Sequence, residues 1–236
     1  MFDASNKMRI LFFDTETNGL PLNRYAPPHM VTAWPHVLQL AWELWDIGAG
    51  VCETRGNVLI TPRHDMKWSE EAAKIHGISP KMLRELGVPI DVALRWFVAD
   101  MARADYAVAH NLAFDRAVIH AESHRLGIDP TAWWPTTGEW CSMLGMKDWC
   151  AIPSSRGTTN DPYKWPRLAE VWARLWPDRA APTDLHDAAG DVRCLSACVR
   201  EGLRRGIIVL RPVTPPMTYA RDVFALPMSC VGGRGT

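Results

Sequence analysis

Residues 8–16 read MRILFFDTE, an apolar run that ends in two acids, Asp14 and Glu16, before Asn18-Gly19 breaks it. The run predicts a buried strand with carboxylates at its end. In the next segment, His36 to Ile47, Leu38, Leu40, Trp42 and Leu44 alternate with Gln39 and Glu43 on the opposite face. Val51–Thr54 and Val58–Thr61 flank Arg55-Gly56-Asn57 and read either as one bent third strand or as a small hairpin. No helix lies between these strands, so an antiparallel meander is expected. Residues 21–35 are rich in Pro and read as a long loop.

Helical signals dominate further out. Ser69-Glu70-Glu71 starts a short helix that stops at Gly77, and Ser79-Pro80 starts another that stops at Gly87. Ile90–Arg103 is a third helix, DYAVAH at 105–110 a fourth strand, and Phe114–Leu126 a helix ended by Gly127. A fifth strand is expected around Trp140–Leu144, and loop over 150–165. Helices are expected over Trp165–Trp176 and Asp187–Arg205, the latter with Val192, Leu195, Val199 and Leu203 on one stripe. This order predicts an α/β fold with a mixed sheet and one domain over 8–210, followed by a flexible tail over 211–236. Within that tail, Phe224-Ala225-Leu226-Pro227-Met228 faintly resembles a clamp-binding peptide and is read simply as tail.

Composition narrows the class. The chain has 236 residues, 47% hydrophobic and 22% charged, with 26 basic and 26 acidic side chains. That excludes a mostly disordered chain and argues against a basic body that coats long nucleic acid. No run reaches membrane-spanning length, and six Cys without a C-x-x-C pair fit a reducing, cytoplasmic setting. Trp is over-used, with 12 against 6 Phe and 4 Tyr.

Three groups of acids carry the chemistry. Asp14 and Glu16, two apart on a strand, share a face; they are either a solvated strand end or a pair held by a divalent cation. Asp115, in HNLAFD at 110–115, begins a helix, where an acid also suits the dipole. In HDAAGD at 186–191, His186 and Asp191 are about 140° apart on a regular helix. They converge only if His186 sits at or before the first turn; Asp184 is the candidate cap. Otherwise His186 is an ordinary surface histidine.

FDTETNG, HNLAFD and HDAAGD, in that order, resemble the three motifs of the DEDDh branch of the DnaQ-like 3′→5′ exonucleases. IHGIS at 75–79 and YKWPRLAEVWARLW at 163–176 are similar to supporting segments of that family, and the resemblance spans roughly residues 8–205. It implies a ribonuclease-H-like fold with a five-stranded mixed sheet flanked by helices. It implies two Mg²⁺ or Mn²⁺ ions, with Asp14, Glu16 and Asp191 on one, Asp14 bridging to a second, Asp115 serving the second, and His186 as general base. The implied reaction releases nucleoside 5′-monophosphates from a 3′ end. One departure is Trp140-Cys141-Ser142-Met143, where the family often carries an Asp-Thr pair.

The implied partner is the 3′ end of single-stranded nucleic acid, DNA first, with RNA end-trimming or a polymerase-associated module as alternatives. Gly19, Leu20 and Trp34 are candidate contacts to the terminal nucleotide, Trp34 by stacking. Thr15 and Asn111 are candidates beside the acids, although both also suit turn chemistry. Trp42, Trp96 and Trp172 are expected in packing, and His120 and His124 on a solvated helix face.

Overall fold

A computed structural model describes residues 8–134 and 138–211. The tail expected over 211–236, including Phe224–Met228, lies outside the described residues from 212 onward. Strands β1 (Arg9–Thr17), β2 (Val37–Asp46) and β3 (Val51–Leu59) form the antiparallel meander. The helices α1 (Glu70–His76), α2 (Pro80–Leu86) and α3 (Ile90–Met101) follow. Then come β4 (Tyr106–Ala109), α4 (Leu112–Arg125) and β5 (Gly138–Cys141). The sheet order is β3-β2-β1-β4-β5, with β1/β4 and β4/β5 parallel. This is the five-stranded mixed sheet that the element order implies.

After β5 come the short helices α5 (Ser142–Gly145) and α6 (Lys147–Cys150), a ribbon of β6 (Pro153–Thr158) and β7 (Asp161–Tyr163), and helices α7 (Leu168–Leu175) and α8 (Ala188–Arg204). Alternation along β1 sends Leu11 and Phe13 to a core under α3 and α4, and Ile10 and Phe12 to a second core under α7 and α8. The first core is aromatic: Phe97 makes edge contacts with Phe13, Trp42 and Trp133, and Trp133 with Trp134. Much of the Trp excess is therefore packing.

Of the two readings of the third strand, the single element is borne out; Gly56 sits opposite Trp42 and leaves room for the indole against its backbone. Several expectations are corrected. The fifth strand begins earlier than expected and ends at Cys141, after which Ser142 opens a helix. The expected loop over 150–165 holds the β6–β7 ribbon, whose side chains bury little and so leave no apolar alternation to read. Helix α7 starts at Leu168 rather than Trp165: Pro166 disfavours helical backbone at the residue before it, and Arg167 takes the cap position. Asp184 does not cap α8; Asp187 does, accepting from Gly190 N–H at 3.1 Å, while Asp184 pairs with Arg193. Trp96 is 50% exposed rather than packed. His120 is not solvated but stacks edge-on against Trp134 at 4.7 Å, and burial pushes its pKa down to about 4. No helix among the described residues is long and apolar enough to cross a membrane.

The Trp42 indole is held on both sides, by Phe97 and by its N–H bond to Asp100 at 2.8 Å. A Cβ at position 56 would lie 2.2 Å from the ring. Gly56→Ala is therefore expected to cost about 1–3 kcal/mol in urea unfolding. A wild-type midpoint would show that the indole does not rest on β3.

Candidate active site

The same alternation that splits the core continues past Phe13. Asp14 and Glu16 fall on the α8 side of the sheet, and Thr15 falls on the α4 side. Asp191 lies in the first turn of α8, and one carboxylate oxygen from each of Asp14, Glu16 and Asp191 lies within 4.8 Å of the others. Asp115, in the first turn of α4, is 3% exposed. It accepts two hydrogen bonds from Thr15, from the backbone N–H at 3.1 Å and from the hydroxyl at 2.7 Å. The structure thus brings all four acids to the end of β1.

Crowding and burial oppose ionisation. Burial raises the Asp14 carboxyl well above the usual range, and the charges of Asp115, Asp191 and Glu16 raise it further. Glu16 is pushed up to about 8 by burial and then by Asp191 and Asp115. Burial lifts Asp115 to about 7, against the pull of its Thr15 hydrogen bonds. Asp191 is raised by burial and drawn down by its bond to His186. A cluster of hard oxygen donors that resists being left charged fits a divalent cation such as Mg²⁺ or Mn²⁺.

His186 precedes the helix, as the spacing requires. It is exposed, has φ +73°, and donates its backbone N–H to Asp191 Oδ2 at 2.9 Å. The αL backbone turns the loop sharply over the helix start, and Gly190 makes room for it. A Cβ there would meet the Asp184 carbonyl oxygen at 1.9 Å.

Two buried pins dock α8 on β2. Gln39 donates to Asp187 Oδ1 at 2.7 Å and accepts from Ala188 N–H at 3.3 Å. Farther along, Glu43 accepts from Ser196 Oγ at 2.8 Å. Small Ala41 lies between them on the same face. Gln39 and Glu43 were legible only as the polar side of a strand, and Asp187 only as a neighbour of His186. The docking partners are some 150 residues apart, and no local signal pairs them.

Beside the acids, Thr17, Gly19, Leu20, Ile75, His76 and Phe114 help line a cleft of about 480 Å³. Gly19 and Leu20, expected near the terminal nucleotide, lie here, with Leu20 85% exposed. Trp34 is corrected: it is 7% exposed, packs in the α3–α4 core and donates its indole N–H to the Ala26 carbonyl, so no face is open for stacking. Asn111 takes the cap position of α4 at φ +75° without a side-chain capping bond; Thr15 holds Asp115 instead.

A structure of E. coli exonuclease I with single-stranded DNA and zinc has a TM-score of 0.62 and 21% identity, over 85% of this chain and 41% of that one. The chain shares its fold with exonuclease I. The E. coli enzyme with a dT13 oligonucleotide gives 0.64 and 19%, over 85% and 43%. Exonuclease I from Methylocaldum szegediense gives 0.64 and 20%, over 84% and 41%. The chain spans about two-fifths of the length of these exonuclease I chains. No family model and no curated protein matches the sequence.

Two predictions follow from the electrostatics. All four acids titrate higher folded than unfolded, so their contribution to stability is complete below about pH 4 and is lost as pH rises toward 8. Mg²⁺ or Mn²⁺ should therefore stabilise the protein far more at pH 8 than at pH 5. At a hundredfold excess over Kd the gain is about 2.7 kcal/mol, or roughly 5–10 °C in a melting scan against EDTA. A melting temperature indifferent to both ions at pH 8 would refute the metal assignment. Second, Thr15→Val removes a bond that lowers the Asp115 pKa. The acid limb of its pH–rate profile should move to higher pH; an unmoved limb would show that the hydroxyl does not tune Asp115.

Proposed function

We propose that the protein is a divalent-metal-dependent 3′→5′ exonuclease that removes nucleotides from the 3′ end of single-stranded DNA as nucleoside 5′-monophosphates. Its exonuclease domain occupies residues 8–210. One observation carries the reading. Asp14, Glu16 and Asp191 converge within 4.8 Å, beside a buried Asp115, at the end of the central strand of a fold shared with exonuclease I. Exonuclease I structures contain single-stranded DNA, dT13 and dA16, which favours DNA as substrate.

Asp14, Glu16 and Asp191 would hold one metal, with Asp14 and Asp115 serving a second. Two Mg²⁺ or Mn²⁺ ions bound there would supply charge neutralisation at the phosphate and lower the pKa of the attacking water. The protein's own residues do the rest. Exposed and free at its tip, the His186 imidazole accepts the proton from the attacking water and returns it to solvent. Thr15 keeps the Asp115 carboxylate aimed at the site. Gly19, Leu20 and Phe114 enclose the terminal nucleotide in the adjoining cleft, and Leu20 presents an apolar edge to its base. The five described cysteines are free thiols, which supports a reducing, cytoplasmic setting.

The test is hydrolysis of matched 3′-labelled single-stranded DNA, duplex DNA and RNA with Mg²⁺, Mn²⁺ or chelator. Rapid metal-dependent shortening of single-stranded DNA from the 3′ end is expected. Asp14→Asn and Asp191→Asn should abolish it while melting, with chelator present, at or above the wild-type temperature, because each relieves like-charge crowding. His186→Asn keeps a residue tolerant of αL backbone and removes the base. Its kcat should fall about 10²–10⁴-fold with KM little changed. Wild-type turnover in either Asp variant would overturn the reading, and preferential degradation of RNA would replace DNA as substrate.

A further inference from the structure

Opposite the terminal-nucleotide cleft, a second surface faces the acids' other flank. Trp165 is 56% exposed and is followed by a buried Pro166 and an exposed Arg167. The Pro166 carbonyl accepts from His110 Nε2 at 3.0 Å, and His110 Nδ1 lies 2.8 Å from the Ser142 hydroxyl. Because Nε2 faces a carbonyl, it carries the proton and Nδ1 accepts from Ser142. Burial lowers the His110 pKa, in keeping with a neutral ring. His110 closes β4 and directly precedes Asn111 and the helix that bears Asp115. The Trp165–Arg167 segment is therefore tied to the catalytic end of β4 and does not hang free.

Charge and exposure around this tether form a pattern. Lys164 pairs with Glu170, whose carboxyl is also held down by the nearby Arg167, while Arg156 on the exposed β6 strand makes no ion pair among the described residues. The ribbon joins the same surface through the Lys164 N–H bond to the Ile152 carbonyl at 2.9 Å. The ring is held at the surface by the buried Pro166, two residues before the exposed Arg167. An exposed aromatic face with exposed cations on the same surface suits single-stranded nucleic acid, which offers alternating bases and phosphates.

Position selects which part of the strand. In the order β2-β1-β4-β5, the cleft with Leu20 and Phe114 lies on the α1 side of the β1 acids, and Pro166 lies against the end of β4. A strand with its 3′ nucleotide in the cleft crosses the acids and leaves over β4. We propose that Trp165 is the stacking platform for a base upstream of the scissile bond, with Arg167 and Arg156 engaging the neighbouring phosphates. This rests on the exonuclease reading and adds the residues that let the protein favour longer strands.

The experiment compares a DNA dinucleotide with a 12-nucleotide strand. In Trp165→Ala, KM for the longer strand should rise about tenfold with kcat unchanged, while the dinucleotide, too short to reach, is cleaved as by wild type. Trp165→Phe should restore most of the loss. Arg167→Ala should lessen the salt dependence of binding to the longer strand by about 0.7 in log–log slope. Unaltered kinetics of Trp165→Ala on both substrates would overturn the proposal, and so would an equal loss on both, which would mark Trp165 as structural. A wild type that cleaves neither substrate would overturn the exonuclease reading itself, and this proposal with it.

Discussion

Mutual repulsion among Asp14, Glu16, Asp115 and Asp191 is the constraint that the rest of the molecule answers. Four carboxylates at the end of a buried strand cost stability whenever they are charged together, and the raised pKa values of Glu16 and Asp115 express that cost. A fold organised only for stability would replace at least one of them with an apolar or amide side chain. A hard divalent cation would offset that charge and turn the liability into a bound state.

Holding such a cluster demands rigid elements on both sides of the sheet. The α4 side contributes Asp115 and secures it through Thr15. The α8 side contributes Asp191, and that helix is positioned by Gln39 and Glu43 from β2 rather than by apolar packing alone. Buried polar pins of this kind set register, because a slip by one turn would break the bonds of Gln39 to Asp187 and Ala188 and that of Ser196 to Glu43. The same docking places His186 in a turn with positive φ just outside the helix, anchored by its backbone to Asp191 and free at its imidazole.

The contrast between Trp34 and Trp165 shows where a linear reading reaches its limit. Trp34 sits in a polar, proline-rich loop near the first motif, which suggests a ligand contact; the loop folds back and buries the ring against Ala26. Trp165 sits in a segment that reads as the start of an amphipathic helix, yet Pro166 stops the helix short of it and leaves the ring outside. Trp96 departs in the same way, falling on the open side of α3. Side-chain type is written in the sequence, but exposure depends on which element arrives from elsewhere in the chain.

By itself the sequence determined the order of the five sheet strands and the long helices and the capping of α1 and α2 by Ser69 and Ser79, while the acid and histidine set was named by the resemblance of its three motifs. The order and the caps rest on local rules: two-residue alternation and side-chain oxygens that satisfy free N–H groups. Only the tertiary structure decided that Thr15 holds Asp115, that Gln39 and Glu43 dock α8, and that Trp165 rather than Trp34 is open to solvent. Each of these depends on contacts between residues far apart in the chain. Such contacts are fixed by close packing and by the satisfaction of buried polar groups, which no local pattern of residues encodes.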